Sequence, residues 1–209
     1  MRPFARYAAV GVASLALLTG GAVVAQAALT KTPSEVTAGA YKLDSSHGNI
    51  TWSVDHMGFS TYTGQFVNVQ AELSLNTSNP SASTLTATIP LADVLTGSQG
   101  LNAHLQTADF FDTANHPTAT FVSRSVTVDA DDANEATVVG DLTLRGVTKP
   151  VTIEVTFNQA GPSMGNTYKA GFDGEATIKR SDFGITYGIP MGLGDEVKLH
   201  LEGEFTLQQ

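Results

Sequence analysis

The stretch that decides the fold is VKLHLEGEFTL, residues 197–207. Val197, Leu199, Leu201, Phe205 and Leu207 alternate with Lys198, His200, Glu202, Glu204 and Thr206. Successive side chains of an extended strand point to opposite faces, so this alternation marks a strand with one apolar and one wet face. A helix would need its apolar residues three and four positions apart. The same period of two recurs upstream. Ile50, Trp52 and Val54 alternate with polar neighbours, as do Val67, Val69, Ala71, Leu73 and Leu75, then Leu85, Ala87 and Ile89. In the second half, Val122, Val126 and Val128 are expected on one face, with Phe121 on the other. Val138, Leu142 and Leu144 follow, and then Val151, Ile153, Val155 and Phe157. Tyr168, Ala170 and Phe172, with Ala176 and Ile178, complete the series.

About eight antiparallel strands result, most with one face dry. Consecutive hairpins of that number can close into a barrel, which removes exposed edges, and a barrel of this size holds side chains or one small ligand. The fold class expected is therefore all-β, an eight-stranded antiparallel barrel; a two-sheet sandwich is the alternative. One segment departs from the pattern. In Leu91 to Asp109 the apolar positions Leu101, Leu105 and Ala108 fall at helical spacing with His104, so a short helix is expected between the third and fourth strands.

The composition agrees. The chain has 209 residues, 42% hydrophobic and only 15% charged, with a net charge of −9 and no cysteine. Low charge with much Thr, Val and Gly suits β structure. The acidic balance argues against a nucleic-acid partner, whose phosphates call for Lys and Arg, and provides no attraction to anionic lipid surfaces. Without cysteine there is no disulfide framework, thiolate metal site or Cys nucleophile. Residues 1–27 read as an export signal: Arg2 and Arg6 precede an uncharged run from Tyr7 to Leu18, and Ala25-Gln26-Ala27 fits a small-x-small cleavage site. The alternative is an uncleaved membrane anchor, since the uncharged stretch continues to about Leu29, but Gly20, Gly21 and the cleavage motif favour the signal. The expected location is the periplasm, with residues 28–39 a polar linker and 40–209 the barrel.

Residues that could carry chemistry concentrate in HLQTADFFDTANHPTATF, residues 104–121. His104, Asp109, Asp112 and His116 are metal- or proton-handling types, yet the segment has no His-Glu-x-x-His and no closely spaced His pair. The simpler expectation is a helix end and turn shaped by Asp109, Asp112 and Asn115 before a strand starting at His116-Pro117. Asp129 to Glu135 imitates a calcium loop but has Ala133 and Asn134 where a ligand and Gly belong, so it reads as a hairpin tip. No Gly-x-Ser-x-Gly elbow occurs. His200 lies among Lys198 and Glu202 on a wet face, whereas His56 continues the inward face of Trp52 and Val54.

Several blocks carry a resemblance: YKLDSSHGNITWSVDH (41–56), HLQTADFFD (104–112), HPTATF (116–121), GDLTLRGVTKPV (140–151), KRSDFGI (179–185) and GDEVKLHLEGEF (194–205). In that order the chain resembles the YceI-like family of exported lipocalin-like proteins, over residues 40–209. The resemblance implies a barrel whose elongated apolar cavity binds a polyisoprenoid or similar long-chain amphiphile such as a quinone or polyprenyl phosphate, for transport or storage. It implies no catalytic activity, no cofactor and a homodimer; a membrane-protein partner is not identified. Family members often carry an Arg-Asp pair before the His-Leu of the helical segment; here Asn102-Ala103 stands before His104-Leu105.

On this basis the cavity is expected to be lined by Trp52, Val54, Val67, Val69, Leu85, Leu144, Val155, Phe157, Phe172, Leu199 and Leu201. Small residues on the same faces (Ala71, Ala87, Ala170, Ala176) leave room. Phe110 and Phe111 are expected to seal the barrel or touch the ligand, and His56, His104 and Arg180 to meet its head, Arg180 by charge. Two alternatives stand beside this expectation: a metal-dependent enzyme using His56, His104 and His116 with Asp109 or Asp112, and an interaction domain whose core is filled by its own side chains.

Overall fold

The computed structural model describes residues 28–208. The expected signal, residues 1–27, lies outside them. The strands are β1 (Gly39–His56), β2 (Ser60–Phe66), β3 (Gln70–Leu75), β4 (Thr84–Pro90) and β5 (Val94–Leu95), followed by the helix α1 (Gln99–Leu105), then β6 (Thr118–Val128), β7 (Glu135–Leu144), β8 (Val147–Ser163), β9 (Thr167–Lys179) and β10 (Leu193–Leu207). Every strand pairing between them is antiparallel. Strands β1, β3, β4, β6, β7, β8, β9 and β10 follow one another around the sheet, and β10 pairs back onto β1. The ring is a closed eight-stranded barrel. The expected helix falls between the third and fourth ring strands, and Ser98 caps it by accepting from the amide of Leu101.

Strand β1 does two jobs. Its start pairs with β3 (Gly39↔Leu75 to Lys42↔Glu72), and its end pairs with β2 (Ile50↔Phe66 to His56↔Ser60). Between them the register against β10 jumps, because the five steps of β1 from Leu43 to Gly48 oppose two steps of β10 from Phe205 to Gly203. The bulge turns Asp44, Ser46 and His47 outward and lets Leu43 and Ile50 both face the interior. Strands β2 and β5 were not anticipated. They extend one end of the barrel, where Phe66↔Val94 closes the pairing.

Strand β6 corrects one face assignment. Phe121 is buried and Val122 is half exposed, while Val126 lines the interior. The cause is a bulge: Ser123 and Ser125 pair with the consecutive residues Gly140 and Val139, so Arg124 is an extra residue that shifts the alternation. Phe121 fits because its partner strand carries Gly140, where a Cβ would fall 2.3 Å from the Phe121 Cζ.

Residues 28–39, expected as a linker, are docked on the barrel. Thr30 exchanges backbone hydrogen bonds with Ala160 at 2.8 and 2.9 Å, Pro33–Glu35 forms a 3-10 turn, and Val36 is buried. Among the described residues, no helix is long and apolar enough to cross a membrane.

Candidate functional site

The barrel interior is not filled by its own side chains. It holds two cavities of about 340 and 360 Å³, each within the range of about 300–1,000 Å³ usual for ligand sites. Both have walls that are overwhelmingly apolar, and Ile50 belongs to both. They are two chambers along the barrel axis that meet at that side chain.

The first chamber lies toward the Asp129–Glu135 hairpin tip. Its walls include the anticipated Val69, Leu85, Val155, Phe157, Phe172 and Leu201. The second lies toward α1, and its walls include Trp52, Val54, His56, His104, Phe110, Phe111, Leu144, Arg180 and Leu199. Val67 borders neither chamber. Asn68 takes a left-handed backbone (φ 57°) and ties its side chain to Asp93 at 3.0 Å, so the chain turns there and β3 begins only at Gln70. Val36, Leu43 and Phe205 of the first chamber, and Tyr62, Phe66, Leu101, Ile185, Tyr187 and Leu193 of the second, were not anticipated as wall residues. Phe205 and the alternation partner Tyr41-Leu43 carry a readable signal; the loop residues Ile185 and Tyr187 carry none.

The two chambers differ in chemistry. The second is the aromatic one. Trp52 stacks near Tyr62 with ring centres 6.3 Å apart, Phe66 meets Phe111 at 5.4 Å, and His104, Phe110 and Tyr187 form a triangle with sides of 5.0, 5.0 and 5.3 Å. His56 and Tyr187 border this chamber and are also exposed, so its mouth opens beside them. The indole Nε1 of Trp52 is buried with no acceptor, and the Oδ1 of Asn134, in the wall of the first chamber, is buried with no donor.

Arg180 has a different task from the one its charge suggests. It is buried, and its guanidinium donates to four backbone carbonyls: Nε to Gly194 at 2.7 Å, Nη1 to Tyr187 at 2.8 Å and Ile185 at 3.1 Å, and Nη2 to Leu193 at 3.2 Å. Burial pushes its pKa down, and Asp195 opposes the shift. Burial likewise pushes the Asp195 carboxyl up, but the hydroxyl and amide of Ser181, with Arg180, outweigh it and hold the group low. Arg180 therefore braces the 185–194 loop that forms one lip of the mouth.

His104 is also engaged. Its Nε2 lies 2.8 Å from Asp109 Oδ2, closing the turn after α1, and Asp112 adopts a left-handed backbone while its carboxylate accepts from Asn115. His116 lies against Gly146, in the turn between β7 and β8. Among the described residues, His56, His104 and His116 do not come together as a set of metal ligands. Among the described residues, the trio whose ligand atoms lie within 4.8 Å of one another is Asp44, His47 and Glu204, outside the barrel. There the ammonium of Lys169 bridges Asp44 and Glu204 at 2.9 and 2.6 Å and takes the place a cation would hold between them.

A closed antiparallel barrel around an apolar, two-chambered interior with one aromatic mouth defines a lipocalin-like architecture. The chain belongs to the YceI-like family: the model of the YceI-like domain matches residues 41–205. It is 36% identical over 175 residues to a UPF0312 protein of Pseudomonas aeruginosa (strain LESB58), covering 82% of this chain and 90% of that one. The crystal structure of Burkholderia cenocepacia BcnA superposes with a TM-score of 0.69 at 26% identity, over 78% of this chain and 98% of that one. A polyisoprenoid binding domain from Saccharophagus degradans, implicated in plant cell wall breakdown, shares the fold with a TM-score of 0.61 at 16% identity, over 82% of this chain and 100% of that domain.

Proposed function

We propose that this protein is an exported, non-catalytic carrier or store for a polyisoprenoid or similar long-chain amphiphile, held along both chambers. The observation that carries the proposal is the pair of apolar cavities meeting at Ile50. Each methylene moved from water into such a space contributes about 0.8 kcal/mol, so a chain of roughly ten or more carbons has ample driving force even after its ordering is subtracted. The polyisoprenoid binding of the Saccharophagus degradans domain, which has the same fold, supports the choice of cargo.

The tail lies in the first, more aliphatic chamber and the head in the aromatic second one. Arg180 donates to four carbonyls, and its charge is opposed by that of Asp195. That arrangement favours a neutral head, such as a quinone ring, over a polyprenyl phosphate. The test is native mass spectrometry of protein purified from its own host, followed by solvent extraction and lipid identification. One isoprenoid per chain is expected. A bare mass after gentle purification, with no uptake of added isoprenoid quinone, would overturn the proposal and favour an interaction domain.

A further inference from the structure

The end of the barrel at which the second chamber opens carries apolar side chains that none of the described elements covers. Phe59 is 87% exposed, Met191 59%, Met57 46% and Tyr187 43%. They belong together in space. Met57 and Phe59 form the tip of the β1–β2 hairpin, where the Phe59 amide donates to the His56 carbonyl at 3.1 Å. The neighbouring 189–191 turn brings Met191 alongside, since a Cβ on Gly192 would stand 3.8 Å from Met57. His56, between this tip and the chamber, lines the cavity.

The tip is unusual for its turn. Met57 and Gly58, the central residues of the His56–Phe59 turn within the three-residue loop, both have positive φ, 60° and 74°, as a turn of the primed type requires. Asn, Asp or Gly normally takes the first position. Among the described residues, the other non-glycine positions with positive φ are Asn68, Asp112, Asn166 and Arg145, and Arg145 uses the position to donate to the carbonyls of Gly184 and Ala108. Met57 has no such contact. A residue poorly suited to the backbone is kept where it projects an apolar chain into solvent, and strain of this kind points to a task outside the fold.

We propose that this tip is a docking surface for a lipid bilayer, inserting Phe59, Met57 and Met191 among the acyl chains so that cargo passes between membrane and second chamber without crossing water. The proposal rests on the cavity function above. The apolar rim is continuous with the chamber mouth, and an exposed patch of this kind marks an interaction site. The opposite end exposes Met164 in the β8–β9 turn, but its β6–β7 hairpin tip carries Asp129, Asp131, Asp132 and Glu135. The charged neighbour of the tip is itself acidic, Asp55, whose carboxylate accepts from the Gly58 amide at 2.9 Å, and the chain has a net charge of −9. The membrane it fits is therefore zwitterionic, since an anionic surface would repel this end.

The absence of cysteine allows a direct test on the full chain. A polarity-sensitive dye is placed on Ser60→Cys beside the tip, or on Asp131→Cys at the opposite end, and phosphatidylcholine vesicles are added. Emission from Ser60→Cys is expected to move to shorter wavelength and that from Asp131→Cys to stay put; Phe59→Ser with Met191→Ser should abolish the shift, and phosphatidylglycerol should weaken it. No shift at Ser60→Cys, or equal shifts at both sites, would overturn the proposal. So would a shift that grows with protein concentration without vesicles, which would assign the patch to a second copy of the chain. Uptake of isoprenoid quinone by the same samples without vesicles, read by native mass spectrometry, reports on the cavity separately. Uptake without the shift removes the docking proposal alone, whereas loss of uptake removes the cavity function on which it rests.

Discussion

The indole of Trp52 lies across Gly64, its pairing partner on the adjacent strand, so closely that a Cβ at Gly64 would fall 2.3 Å from Trp52 Cζ2 and 2.9 Å from the carbonyl oxygen of Leu95. The second chamber therefore owes part of its wall to the absence of one methyl group. The backbone oxygen can move little, so the ring must give way. Overpacking of this kind costs about 1–3 kcal/mol. Gly64→Ala is expected to lower the melting temperature by several degrees and to shift the emission of the chain's one tryptophan. An unchanged melting curve would mean that the ring has a second place to go.

Ile50 is where the chambers meet, so it governs how much chain the barrel accepts. Ile50→Trp should block the passage while leaving the second chamber usable. Excluding only two methylenes from the first chamber removes about 1.6 kcal/mol, roughly a tenfold loss of affinity. Long isoprenoids should lose at least that much, and ligands short enough for one chamber should lose little. Competition binding with a series of chain lengths checks this; a uniform loss at every length would show that the two cavities do not share one ligand.

Much of this arrangement is legible in the sequence wherever apolar and polar residues alternate without interruption. The inward faces of β8 and β10 follow from Val151–Phe157 and Val197–Leu207, and most of the chamber walls follow with them. What escapes notice has a local cause. Arg124 inserts an extra residue and reverses the faces of β6. Asn68 turns the chain and takes Val67 away from the interior. Strand β2 hides because its inward position 64 is a glycine, apolar only through the ring that covers it. Arg180 misleads for another reason: sequence gives its charge but not the destination of its donors, which are four carbonyls brought together only by the folded 185–194 loop.

The β1 bulge carries a pH-dependent contact. Hydrogen bonds from Ser46, then Lys169, then His47 hold the Asp44 carboxyl well below its ordinary 3.8. A folded-state pKa below the unfolded one stabilises above the unfolded value and is lost as pH falls through the folded one. Lys169 is shifted the other way, raised above 10.5 by Glu204 and then by Asp44. Its contribution is complete below 10.5 and fades as pH rises through the raised value. Wild type should therefore lose stability relative to Asp44→Asn below about pH 4, and relative to Lys169→Met above pH 10.5. The groups are partly exposed, so each effect should be about 1 kcal/mol or less. Urea midpoints at pH 2.5, 7 and 11 decide it, and parallel curves for wild type and variants would show that the bridge does not persist in solution.

Arg180 is the place where the bracing role and the headgroup role make opposite forecasts. As a brace, its removal leaves carbonyls of Ile185, Tyr187, Leu193 and Gly194 without their donor. Hydrogen bonds to a charged group contribute about 1.5–3 kcal/mol each, and a buried carbonyl left alone is unfavourable. Arg180→Met should then destabilise the protein by at least about 3 kcal/mol and raise amide exchange first in the 185–194 loop. Arg180→Lys should rescue little, because three donors on one compact ammonium cannot span four carbonyls as a planar guanidinium does. As a headgroup anchor, Arg180 would instead leave loop exchange unchanged on substitution and lower affinity for anionic isoprenoids alone. Exchange mapped by mass spectrometry, alongside binding of a quinone and a polyprenyl phosphate, separates the two. Fast exchange confined to the loop, with no selective loss of the phosphate, is the expected result.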